Sequence, residues 1–404
     1  MMATTAGEGR SWLVLGGLTI GALAWQAACE PNRGGVDTGV AAATTDLLAS
    51  VGPLVVLPAF AAFESDVDAL AAAVADWQST LAAGGDGESE LVAAQESWVA
   101  AMVTWQQLEL MQIGPAGSSL SAVGGQDLRD EIYSWPTTNP CRVDQETVAG
   151  GYTAPDFFEV SLVNAYGLDA LETLLFSGPG NACPNQVDIN SSGSWAALGD
   201  AGVATARAAY AAALVDGVAD TAAQLAGAWD PDGGDFAGKL AMVNVETPYA
   251  SEQEALNAVF NGLFYLETAT KDRKLAVPIG LRDCAAATCP DDVELWASGT
   301  SLAAIEGNLI GFQALFTGAE GGGFEERLEA AGHADLAVEI NDKTDAALAR
   351  VRSMDGSLVE ILASSPAEAE ALHADVKAVA DLLKGDLATV MMLEIPSEAA
   401  GDND

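Results

Sequence analysis

The sequence predicts an all-α protein, built as two helical-bundle halves with long, disulfide-pinned connections, and three observations carry that expectation. Half of the residues are hydrophobic while only 6% are aromatic, and alanine is abundant; this suits helices packed through small side chains better than a sheet. Apolar residues recur at helical spacing over long stretches. Glycine and proline clusters at 84–87, 114–115 and 178–180 punctuate those stretches. At 404 residues the chain can bury a large core as two ordinary domains or one large one.

Residues 31–39 are a Gly-rich stretch within a flexible tether over 29–44, and a helical pattern from 41 to 83 is interrupted near Gly52-Pro53 and Pro58. Residues 88–113 read as a long amphipathic helix on which Trp98, Met102, Trp105 and Glu109 share one stripe, so Glu109 points where the tryptophans point. Glycine and proline then break the pattern up to residue 154, with a short helical piece at 127–133. A helix over 156–177 is followed by helices at 195–229, 251–274, 291–317, 324–362 with a break, and 366–393. The N-terminal half spans 45–235 and the C-terminal half 236–395, and 396–404 is an acidic disordered tail. A weak internal repeat supports two halves: Gly167, Leu175, Phe176 and Gly178 are echoed 140 residues later by Gly307, Leu315, Phe316 and Gly318.

The first 28 residues read as an export signal, with Arg10 ahead of an apolar run over 12–24. Gln26-Ala27-Ala28-Cys29 resembles a lipobox, although Gln26 stands where an aliphatic residue is usual. That likeness implies lipidation of Cys29 and anchoring in a membrane of the cell envelope. Glu30 replaces the aspartate that holds many lipoproteins in the inner membrane, which points to the outer membrane, facing periplasm or cell surface. Four cysteines remain, Cys141, Cys183, Cys284 and Cys289, an even number in an exported chain. Of three connectivities, the close Cys284–Cys289 spacing favours a local staple, which leaves Cys141 for Cys183; a four-thiolate zinc site competes, without the usual two-residue knuckle spacing.

The formal net charge is −42, and losing residues 1–28 removes Glu8 and Arg10 together, so the value stays the same. Such a surface repels nucleic acid and anionic lipid. Solvation in a saline habitat accounts for the charge more simply than cation capture does.

Two carboxylates interrupt the apolar middle of the 156–177 helix. Asp169 and Glu172, at i and i+3, lie within about 60° of each other around the axis, in a sector shared with Phe158, Leu162, Ala165 and Phe176. Buried acids need a cation, a metal or hydrogen-bond donors, or else they stay protonated. Candidate partners are Arg129, Lys271 on the helix bearing Glu267, and Tyr166; Glu109, reached past Trp105, would complete a cluster of three acids. The cluster reads as a buried Arg–carboxylate network that fixes helix register, as an oxygen-rich pocket for a hard cation such as iron or calcium or for a cationic ligand group, or as an acid/base pair. The two histidines, His333 and His373, sit in polar-flanked C-terminal segments and read as surface residues.

The stretch from Tyr166 to Phe176, YGLDALETLLF, resembles the Gly-x-His-x-x-Glu helix of imelysin-like proteins, with Gly167 and Glu172 matching and Asp169 in the histidine position. Trp105 and Glu109, Leu128-Arg129-Asp130 with Ser134-Trp135-Pro136, and 267–280 with Pro278 are similar to that family in the same order. The resemblance implies an exported, often lipid-anchored protein of two helical halves linked to iron uptake, with iron-uptake components as partners. Together with the buried acids, it leads to the expectation of a cation or small ligand bound at a carboxylate-lined site between the halves. The alternatives are a metal-dependent peptidase, the activity for which the family was named, and a non-catalytic envelope scaffold. Asp169 keeps a hard anionic donor but loses the imidazole that zinc and ferrous iron favour, which argues against peptidase chemistry.

Overall fold

The computed structural model describes residues 33–400. The export segment and Cys29 lie outside the described residues. The expected tether is helical from Arg33: α1 (Arg33–Ser50) runs into a π turn (Val51–Val56) and α2 (Leu57–Ala82). Pro53 explains the widened turn, since it has no N–H to donate and its ring clashes with the carbonyl four residues back. By length and composition, the stretch Thr38–Ala82 is apolar enough to cross a membrane. Here it buries Phe63, Leu70, Val74 and Trp77 in the protein core.

The long helix α3 (Glu88–Leu108) packs against α2 and forms the central rod. After it come α4 (Leu128–Ile132), α5 (Pro140–Ala149), α6 (Phe157–Val160), α7 (Leu168–Phe176), α8 (Asp188–Ser191) and α9 (Ser194–Trp229), the last packed on α2 and α7. The second half of the chain contributes α10 (Phe236–Ala241), α11 (Glu252–Leu263), a π-helix (Leu266–Ala276) and α12 (Ser301–Thr317). It continues with α13 (Phe324–Ala330), α14 (Ala334–Ser353), α15 (Leu358–Ser364) and α16 (Pro366–Leu382), and ends with α17 (Ala388–Met391) and α18 (Ser397–Ala400). Among the described residues there is no strand. Local chemistry sets many ends: Ser251 caps α11, Ser357 and Glu360 form a capping box on α15, and Asn139-Pro140 opens α5.

One apolar core reaches from Leu47 to Ala399, and α1 packs on α10, α11 and α13 from beyond residue 235. Both α7 and α12 lie against α3. At the α3–α12 contact a Cβ on Gly307 would sit 2.8 Å from that of Gln106, and one on Gly311 would sit 2.2 Å from the Gln107 carbonyl oxygen, so only glycine lets the backbones approach. The internal echo is therefore uneven, because Gly307 lies inside a helix whereas Gly167 precedes one.

Three expected helices are corrected. The 156–177 helix is broken into α6, a 3-10 turn and α7, which leaves Phe158 and Leu162 exposed, off the sector that holds the acids. The 251–274 helix changes to π geometry at Leu266, and the 291–317 helix starts only at Ser301. The expected disordered tail begins as α18, with Ala399 buried; 401–404 lie outside the described residues. His373 is buried in α16 rather than at the surface. The disulfides are Cys141–Cys183 and Cys284–Cys289.

Candidate functional site

Gly167 creates the local geometry. The 3-10 turn over Val163–Ala165 ends in extended Tyr166, and Gly167 then takes a φ of +93° at the N-cap of α7, where a Cβ would lie 2.8 Å from the Ile132 carbonyl oxygen. The chain therefore restarts as α7 with Asp169 in its first turn, where the helix dipole favours an anion. Trp98 on α3 fixes the start of α7 by donating from Nε1 to the Leu168 carbonyl at 2.8 Å, and Gln95 reaches the Leu175 carbonyl at 2.7 Å.

Asp169 and Glu172 are only 5% and 7% exposed. Around Asp169 the donors are neutral: the Thr138 hydroxyl, Ser134 Oγ at 3.1 Å and the Ala170 N–H at 3.0 Å. The Oε1 of Glu172 accepts from the Ser298 N–H at 2.9 Å and its hydroxyl at 2.8 Å; Oε2 accepts from no described residue. Neither acid has a salt-bridge partner among the described residues. Burial pushes the Asp169 carboxyl up to about 6. It raises Glu172 to about 7, with Glu294 and Asp169 adding like-charge repulsion.

Both acids line a cavity of about 370 Å³, large enough for a small organic ligand. Trp135 and Trp296 form part of its wall, and Arg273, Asp291 and Asp292 stand exposed around it. Each disulfide holds a lining segment: Cys141 follows Pro140, and Cys289 precedes Pro290-Asp291-Asp292.

The expected three-acid cluster does not form. Glu109, completely buried at the end of α3, takes Arg129 in a two-pronged ion pair, with Nη2 at 2.8 Å and Nε at 3.3 Å, plus the Tyr265 hydroxyl. Arg129 thus answers Glu109 rather than Asp169 or Glu172. Lys271 pairs with Glu267 at 3.2 Å and Asp272 at 3.1 Å, and Lys384, just after α16, also reaches Glu267, so this ion network joins the π-helix to the segment after α16, outside the cavity lining. The Tyr166 hydroxyl donates to Glu131 at 2.7 Å, and Trp105 packs on Phe63.

Between the Glu109 pair and the cavity lies a buried unit that sequence reasoning missed. Glu294 is held by Lys274 at 3.0 Å and by the Tyr133 hydroxyl at 2.6 Å, and Lys274 also donates to Gln106. Its components come from α3, the 133–138 loop, the π-helix and the loop before α12. Ser298 and Thr138 were missed too, because single hydroxyls in irregular segments carry no spacing signal.

No group of three or more His, Cys, Asp and Glu side chains converges among the described residues. Two carboxylates without imidazole do not fit a divalent metal ion held by protein donors alone. The chemistry present is a partly enclosed anionic floor with aromatic walls.

A helical, disulfide-stapled scaffold with a carboxylate-floored cavity at a Gly-x-Asp-x-x-Glu turn defines the class of protein. The chain belongs to the imelysin family, peptidase family M75, whose model matches residues 56–385. An iron-regulated protein A precursor from Parabacteroides distasonis superposes with a TM-score of 0.61 at 15% identity, over 86% of this chain and 95% of that one. An imelysin-like protein from Psychrobacter arcticum gives 0.59 at 16% identity, over 89% and 97%. No curated protein sequence matches this chain.

Proposed function

We propose that this imelysin-family chain is an exported binding protein whose Asp169–Glu172 cavity takes the cationic head of a small organic ligand. The observation that carries the reading is the pair of deeply buried acids with neutral donors only, one of them with a free oxygen, beside two indoles. Burial disfavours their ionised forms, so an arriving ammonium or guanidinium meets carboxylates in a low-dielectric site, where a charge-assisted hydrogen bond is strong. The indoles add favourable cation–π surface. Export agrees with the two disulfides and with the precursor form of the Parabacteroides neighbour. Lipid anchoring through Cys29 in the outer membrane belongs to the same proposal.

A link to iron acquisition rests on the name of the iron-regulated neighbour, and iron(III) or calcium would find two carboxylates and would need the rest of its ligands from water. Metal-dependent peptidase chemistry would need a ligand set that the described residues do not assemble.

Calorimetric titration of the mature protein with n-butylammonium at pH 8 tests the reading. Saturable one-to-one binding is expected, weakened about tenfold or more in Asp169→Asn with Glu172→Gln. Absence of binding, or equal binding by that variant, overturns it, and tighter binding of iron or calcium that depends on the same two residues would replace it with the metal reading.

A further inference from the structure

The cavity carries acids at two depths. Asp169 and Glu172 form the buried floor, whereas Asp291 and Asp292 line the same cavity from exposed positions. Arg273 is the one cationic side chain in the lining. Four acids against one base leave the lining net negative, and the rim acids alone outnumber Arg273. A carboxylate or phosphate on the ligand would therefore be repelled. A second positive charge would be drawn to the rim.

Glu172 Oε2 gives the arrangement a direction. Its side chain is more than nine-tenths buried and lines the cavity, and this oxygen accepts no hydrogen bond from a described residue. One ammonium on the floor would satisfy it. Trp135 and Trp296 offer apolar surface for a methylene chain between floor and rim. The rim is positioned rather than loose: Asp291 and Asp292 form a short 3-10 turn with Pro290, directly after the Cys284–Cys289 staple.

We propose that the ligand is an aliphatic dication, a diamine or polyamine, with one ammonium on the Asp169–Glu172 floor and the next at the Asp291–Asp292 rim. This rests on the cationic-head reading above and adds the second charge and the alkyl spacer. Recognition of this kind reads the distance between charges, so affinity depends on chain length and peaks where the spacer matches the floor-to-rim span. The rim contact is exposed and weak, and salt screens it more than the floor contact.

The test compares n-butylammonium with 1,3-diaminopropane, putrescine, cadaverine and spermidine by calorimetry on the mature wild-type protein and on Asp291→Asn with Asp292→Asn. The wild type should bind its best diamine about three- to tenfold more tightly than the monoamine, with one member of the series clearly favoured. In the variant the best diamine should fall to roughly the monoamine's affinity. Both acid side chains are exposed and make no hydrogen bond or ion pair among the described residues, and circular dichroism checks that the variant stays folded. If butylammonium binds and no diamine binds more tightly, the dication inference fails while the cationic-head reading stands. If no amine binds the floor, that reading fails first. A diamine advantage that persists unchanged in the rim variant is attraction to the −42 surface alone and overturns the inference.

Discussion

Arg129 and Glu109 show how this protein divides its buried charge. The guanidinium covers both carboxylate oxygens, Tyr265 donates to one of them, and the Arg129 side chain is 13% exposed against 0% for Glu109. This pair is architectural: it ties the end of α3 to α4 and the 265 region. Arg129→Met should lower stability by about 3–5 kcal/mol, because it strands a buried anion, and Glu109→Met added to it should recover much of the loss. Denaturant unfolding of the three proteins reads both effects; a single variant as stable as wild type would contradict this role. Asp169 and Glu172 are the opposite case, since their environment leaves charge uncompensated. Their carboxyls rise from 3.8 to about 6 and from 4.5 to about 7. Between those limits the folded chain holds more protons than the unfolded one. Stability contributed by these two acids is therefore lost as pH rises through that window, by on the order of 3 kcal/mol for each acid. Cation binding gains over the same window.

At the scale of elements, Gly167 decides whether a site exists. The helical pattern is already interrupted at Ser161, Leu162 and Tyr166, and the positive φ of Gly167 sets the direction in which α7 starts, which brings Asp169 to Ser134 and Thr138. Gly167→Ala should cost about 1–3 kcal/mol and weaken butylammonium binding as well; a variant with native stability and affinity would show that the turn is not required. This is also where sequence reasoning reached its limit. The stripe of Trp98, Met102, Trp105 and Glu109 was legible because α3 is a regular helix with one buried face, and all four side chains are indeed buried. The interior placement of Asp169 and Glu172 was legible from their apolar neighbours. The break from Ser161 to Gly167 was not, since no proline marks it and a lone glycine inside an apolar helical pattern is compatible with an unbroken helix. Nor were the partners: Glu294, Ser298, Asp291 and Asp292 lie more than a hundred residues away in segments without periodicity. Arg129 was singled out as a candidate partner for Asp169 and Glu172, but it pairs with Glu109 instead.

At the scale of the whole molecule, one apolar core joins elements from both ends of the chain, and charged side chains are buried alongside it. Among those buried charges, Glu109, Glu267 and Glu294 have ion-pair partners, and the two carboxylates at the cavity do not. The disulfides brace the lining segments, and the net charge of −42 draws cations toward the protein from a distance. The central claim is that the floor acids wait partly protonated and ionise when a cation arrives. Calorimetry of butylammonium binding at pH 6.5, repeated in buffers of different ionisation enthalpy, measures this directly, because the amine itself stays protonated there. Release of about half to one proton per ligand bound, abolished in Asp169→Asn with Glu172→Gln, is the expected result. Binding with no proton release in the wild type would contradict the account.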